Sequence, residues 1–179
     1  GMIINEVKIL LDGVWQDATK ADNLWTFKDV KVRCFGNKLT LEAKESRVRK
    51  IKVLTDAPFG IDAKILGDSW ERSYGDMQWK RIEACKEMPW YFLAIDREKV
   101  FGFGVKTGPN AMCCWMFEND GISFIADVSS GKNGVHLSGR SLDVAEFVVG
   151  EYEDDVFSCA ARFCEEMCDN PRMPKLPVY

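Results

Sequence analysis

The feature that most constrains this chain is a two-residue hydrophobic rhythm that returns along most of its length with no helix-length pattern in between. It runs through Val7, Ile9 and Leu11; Val30, Val32 and Cys34; Leu39 and Leu41; Phe101, Phe103 and Val105; Met112, Cys114 and Met116; and Ile122, Phe124, Ala126 and Val128. Alternation of this kind puts apolar side chains on one face of a strand and leaves the other face polar. Gly36-Asn37 and Asp120-Gly121 supply residues that tolerate positive φ and close tight hairpins, while Ser130 to Gly134 reads as a looser loop. Strands joined by such turns run antiparallel. Without crossover helices a parallel sheet is disfavoured, and two packed antiparallel sheets become the way to bury so many one-sided strands.

One segment breaks the rhythm. From Asp154 to about Cys168, Phe157, Ala160, Ala161, Cys164 and Cys168 recur at helical spacing behind two acidic residues suited to a helix N-terminus. The expected architecture is therefore a mainly β fold, a large antiparallel β-sandwich over residues 1–168 with one C-terminal amphipathic helix. Residues 169–179 hold Pro171, Pro174 and Pro177, each of which removes a backbone donor, and read as an extended linker to a further domain.

A length of 179 residues with 46% hydrophobic and 29% charged residues fits one large soluble domain or two very small ones, and such a chain needs neither disulfide nor metal to fold. The net charge of -4, without a dominant basic block, argues against nucleic acid or an anionic membrane as partner. No apolar run approaches a membrane span, and the opening residues lack the pattern of a signal peptide. The seven cysteines, Cys34, Cys85, Cys113, Cys114, Cys159, Cys164 and Cys168, are odd in number and irregular in spacing. Several lie inside apolar patterns, as reduced thiols do, so a cytoplasmic home is expected. Zinc has weak support: Cys164 and Cys168 are four apart and His136 is the only histidine, but no paired CxxC frames a site. No cofactor is expected.

The densest cluster of chemistry-bearing residues runs from Leu66 to Trp79. Asp68, Glu71 and Asp76 can accept hydroxyl hydrogens, Arg72 can donate, and Trp70 and Tyr74 offer apolar ring faces, a combination suited to a sugar. The competing reading places Trp70, Tyr74 and Trp79 in the sandwich core with Arg72 paired to Glu71 or Asp76. Phe101 to Gly108 has glycines alternating with apolar residues, as in a strand that another backbone approaches closely, not as in a phosphate loop. His136, in an apparent strand from Gly134 to Leu137, has no nucleophile motif near it.

Gly67-Asp68-Ser69-Trp70-Glu71-Arg72-Ser73-Tyr74-Gly75-Asp76-Met77-Gln78-Trp79 resembles a motif near the N-terminus of α-galactosidase-like glycoside hydrolases of the melibiase family. Met88 to Phe92, Gly102 to Gly108, and Phe163 through Arg172 also look like that family, in the same order. The resemblance implies a supersandwich of the galactose-mutarotase-like kind, packed on a catalytic (β/α)8 barrel of the same polypeptide. The two catalytic aspartates belong to that barrel and have no matching positions here, so no residue of this chain is expected to be catalytic. It also implies an α-galactoside or related sugar as ligand, with the loop from Asp68 to Asp76 closing one side of its pocket, and homo-oligomers as further partners. The alternatives are an independent carbohydrate-binding module and a purely structural or oligomerisation domain.

Overall fold

The computed structural model describes residues 2–67, 70–73, 81–84, 91–107, 112–118, 120–129, 136–153, 155, 158–159 and 161–163, with the backbone alone at 67, 70–73, 81–84, 107 and 112. The first strands in chain order are β1 (Ile4–Leu11), β2 (Val14–Asp17), β3 (Thr19–Ala21), β4 (Leu24–Phe27), β5 (Val30–Phe35), β6 (Lys38–Ala43) and β7 (Lys50–Thr55). Next come β8 (Lys64–Gly67), β9 (Trp70–Ser73), β10 (Arg81–Ala84), β11 (Tyr91–Asp96) and β12 (Lys99–Thr107). The last are β13 (Met112–Glu118), β14 (Gly121–Asp127) and β15 (Ser141–Tyr152).

They form two sheets, six-stranded in the order β10-β13-β14-β7-β1-β2 and nine-stranded in the order β3-β4-β5-β6-β15-β12-β11-β8-β9. Every pairing is antiparallel. The fold is an antiparallel β-sandwich, as the rhythm of the sequence requires.

The expected Gly36-Asn37 turn closes β5 to β6, and β13 pairs with β14 as a hairpin. Asp120-Gly121 contributes differently from expectation, because Gly121 is already paired with Glu118 inside the ladder. Its φ of 153° and the approach of Thr55, whose carbonyl carbon would lie 3.1 Å from an added Cβ, are what demand glycine there. Asp12-Gly13, with φ of 50° and 76°, makes the β1–β2 turn with the two successive positive values that match strand twist.

Between the sheets lies the main core, and its centre is aromatic. Phe92 stacks on Phe103 at 4.9 Å, and Trp115 meets Phe92 at 5.5 Å and Phe124 at 5.4 Å. The inward set matches the sequence pattern in β1, β6, β12 and β14, where Val7, Ile9, Leu39, Leu41, Phe101, Phe103, Val105, Ile122, Phe124 and Ala126 are buried. In β13 the parity is opposite to the expected one: Cys113, Trp115 and Phe117 are buried, whereas Cys114 and Met116 are half-buried on the outer face. Large aromatics outweigh sulfur-bearing chains in buried area, so they claim the core side.

A second apolar cluster sits on the outer face of the nine-stranded sheet: Leu66, Tyr91, Leu93, Val100, Tyr152, Cys159 and Phe163. Cys159 and Phe163 come from the helical residues 158–159 and 161–163, which Asp155 precedes. Its carboxylate accepts from the Ser158 N–H at 2.9 Å and the Ser158 hydroxyl at 2.8 Å. Phe163 lies against Gly102, so the open space in β12 admits an aromatic ring rather than a second backbone. Ala161 is exposed, and the buried pair is Cys159 with Phe163, four residues apart. Phe157, Ala160, Cys164, Cys168 and residues 169–179 lie outside the described residues, as does the loop from Ser130 to Gly134. Among the described residues no helix is long and apolar enough to cross a membrane.

Candidate functional site

β9 holds Trp70, Glu71 and Arg72, and Asp68, Tyr74 and Asp76 lie outside the described residues. β8 and β9 pair with Gly67 beside Trp70, Leu66 beside Glu71, Ile65 beside Arg72 and Lys64 beside Ser73. Ile65 belongs to the main core and Leu66 to the outer cluster. Pleating therefore gives Trp70 and Arg72 register positions on the face of Ile65, and gives Glu71 one on the opposite face with Leu66. The sequence cluster is thus divided between two faces of one sheet. β9 is also the outermost described strand of that sheet, with one edge that no described strand pairs.

A second arrangement emerges at the end of the sandwich where β11, β12 and β15 run on beyond the cover of the opposing sheet. Along β11 the inward positions are Phe92, Ala94 and then Asp96; along β12 they are Lys99, Phe101 and Phe103; Glu151 of β15 pairs with Phe101. The core face thus turns from apolar to charged within one residue pair on each strand. Phe147 is 1% exposed and Val149 is 37% exposed, which marks where the cover ends.

The segment 56–63, joining β7 to β8, folds over this end. Phe59 anchors it, with its ring 6.0 Å from both Phe101 and Phe103. The Gly60 N–H donates to Asp96 Oδ2 at 2.8 Å, and Ala63 N–H donates to the Gly60 carbonyl at 3.0 Å. Between this segment and the strand ends runs an open groove of about 1120 Å³, lined by Pro58, Ile61 and Phe101 as apolar surface and by Asp62, Asp96, Arg97, Glu98, Lys99 and Glu151 as charged surface.

Lys99 pairs with Glu151 at 3.1 Å and lies 3.9 Å from Glu153; the adjoining Glu151 carboxylate holds its ammonium above the usual value. Arg97 opens the β11–β12 turn at φ 59°, a value uncommon for a residue other than glycine, and lines the groove. Asp62, Arg97 and Glu98 carry no ion pair or hydrogen bond among the described residues.

The groove was missed in the sequence because its residues are scattered over three segments. A signal existed all the same: carrying the alternation forward from Phe92 and Ala94 to Asp96, and back from Phe101 to Lys99, puts charge at core-facing positions of two apolar strands. Such a break marks the lip of a core.

Nucleophilic and metal chemistry find little footing among the described residues. His136 is exposed and outside any strand, which corrects the expected strand through it, while Gly134 and Val135 lie outside the described residues. Burial pushes the Cys34 thiol up, away from thiolate reactivity. No group of three or more His, Cys, Asp or Glu among the described residues is placed to hold a metal ion. Comparison of the chain with family models, with curated proteins and with solved structures finds no match.

Proposed function

We propose that this chain is a non-catalytic β-sandwich domain of an α-galactosidase-like glycoside hydrolase, packing on a catalytic (β/α)8 barrel and lending the segment around β9 to the wall of a galactoside pocket. The observation that carries the reading is the position of Trp70–Ser73 as the outermost described strand of the nine-stranded sheet. An edge strand presents unpaired N–H and C=O groups to a partner, and pairing with β8 on its other side holds it in place. Trp70, Glu71 and Arg72, three of the residues that carry the family resemblance, belong to that strand, where a second domain or a sugar hydroxyl can meet its backbone.

The test starts with the intact mass of the native gene product, followed by α-galactoside hydrolysis by that product and by its Trp70→Ala and Arg72→Ala variants. The expected result is a longer polypeptide that hydrolyses α-galactosides, with a raised KM in the variants. A product without galactoside turnover or binding would refute the reading.

The mouth groove favours a second reading, an independent carbohydrate-binding module, because it combines exposed apolar and charged side chains within this chain alone. Sugar-dependent shifts in amide spectra of the isolated chain separate the two. A wall that works only against a barrel gives almost none.

A further inference from the structure

We propose that the mouth groove is a ligand site in its own right, for a polyhydroxylated ring that bears no negative charge, with an amino sugar held more tightly than its neutral parent. The ligand class rests on the carbohydrate reading above, and the location rests on the groove alone.

Four features carry the assignment. The groove has an apolar side, with Ile61, 58% exposed, and Pro58 beside the buried edge of Phe101, against which the C–H face of a ring can lie. Its walls offer acceptors and donors in fixed places: Asp96 is tied through one oxygen to Gly60, and Lys99 is held by Glu151. It also presents Asp62, Glu98 and Arg97 without partners among the described residues, so a ligand can engage them without breaking an existing contact. Four carboxylates, Asp62, Asp96, Glu98 and Glu151, face two cations, Arg97 and Lys99, which leaves the local field negative.

That field sets the preference. A unit charge about 6 Å from an excess of two negative charges in a water-like medium, screened at physiological salt, separates a cationic ring from an anionic one by about tenfold in affinity. The rim is open, so absolute affinity is expected in the millimolar range, roughly as for other exposed, small contacts.

The experiment titrates this chain with galactose and glucose, with their 2-amino counterparts, and with galacturonate and glucuronate, reading amide shifts at low and physiological salt. Amides of Gly60, Asp62, Arg97, Glu98 and Lys99 are expected to shift, in the order amino sugar, neutral sugar, uronate. The ratio of amino sugar to uronate should be about tenfold at physiological salt and larger at low salt. The paired variant Asp62→Asn with Glu98→Gln, both on exposed positions, removes the excess of two charges and should lower that ratio to about one while leaving the spectrum elsewhere unchanged.

Uronates binding as tightly as amino sugars would overturn the charge argument. Hexoses that shift only the β8–β9 amides would overturn the location and leave the proposed role of β9 standing. If no hexose of any charge shifts any amide, the carbohydrate ligand class falls here, while the accessory role on a barrel is still judged by turnover of the native product.

Discussion

Replacing Gly102 by Ala should destabilise the protein only while Phe163 is in place. A Cβ at residue 102 would stand 2.8 Å from Cε2 and 2.9 Å from Cγ of the Phe163 ring, and closer still to Cδ2. Ordinary carbon contacts are about 3.5–4.0 Å, so the ring would have to move by about 1 Å. It has little room to do so, since Phe163 is fully buried and its ring centroid lies 6.4 Å from that of Tyr91. Overpacking of this kind costs about 1–3 kcal/mol, offset by about 0.5–1 kcal/mol because Ala restricts the unfolded chain more than Gly. The net expectation for Gly102→Ala is a loss of about 1–2 kcal/mol. Phe163→Ala alone should cost about 3 kcal/mol as a buried aromatic lost. In that background the same glycine substitution should become neutral or stabilising by about 0.5 kcal/mol, because the methyl enters vacated space. The two changes are therefore coupled by about 2 kcal/mol, well above the ~0.5 kcal/mol scatter of independent sites. Urea midpoints of the four proteins, compared at constant m, measure this. Equal costs of Gly102→Ala in both backgrounds would refute the docking of Phe163 on Gly102 of β12.

Further expectations follow from the polar contacts. Asp29 accepts from the N–H groups of Glu45 and Ser46 at 2.7 and 2.8 Å and from the Ser46 hydroxyl, pinning the link from β6 to β7. Burial alone would raise its pKa, but the Ser46 and Glu45 hydrogen bonds override burial and hold the carboxyl well below the usual range. Its contribution is therefore full above the unfolded-chain value of about 4 and drains away as pH falls below it, so Asp29→Asn should cost about 1–2 kcal/mol at neutral pH and flatten the acid limb of a stability–pH curve. Lys52 and Glu118 meet at 2.6 Å with Ser123 as a second donor to Glu118 at 2.8 Å, and both charged side chains are about four-fifths covered. A double-mutant cycle should give about 1 kcal/mol of coupling, falling as salt is added. Arg97→Gly relieves a positive φ and should raise the thermal midpoint by the equivalent of about 0.5–1 kcal/mol; an unchanged or lower midpoint would show that the Arg97 side chain itself stabilises the turn.

What the sequence revealed, and what it concealed, follows from how each feature is encoded. The sandwich was legible because alternation in segments such as Val7-Ile9-Leu11 and Ile122-Phe124-Ala126 is local and repeats, and each instance restates the same two-faced geometry. The parity of β13 was not, because Met112-Cys114-Met116 and Cys113-Trp115-Phe117 are both apolar series, and only the partner strands decide which faces the core. The Trp70 to Arg72 cluster was visible as composition, but pleating separates its members, which no count of residue types can anticipate.

The groove illustrates the reverse case. None of Asp62, Asp96, Lys99 and Glu151 is unusual among its sequence neighbours, yet three strands in register bring Asp96, Lys99 and Glu151 side by side on one face. Register is a non-local property, set by the β11–β12 and β12–β15 ladders as wholes. A charge at a core-parity position next to a turn is its local trace, and both Asp96 and Lys99 carry that trace on either side of the Arg97-Glu98 turn. Burying either charge under a fully extended opposing sheet would cost more than a paired contact returns. The opposing sheet must therefore stop short at this hairpin, and a sandwich whose layers end out of step is left with a cleft at that end.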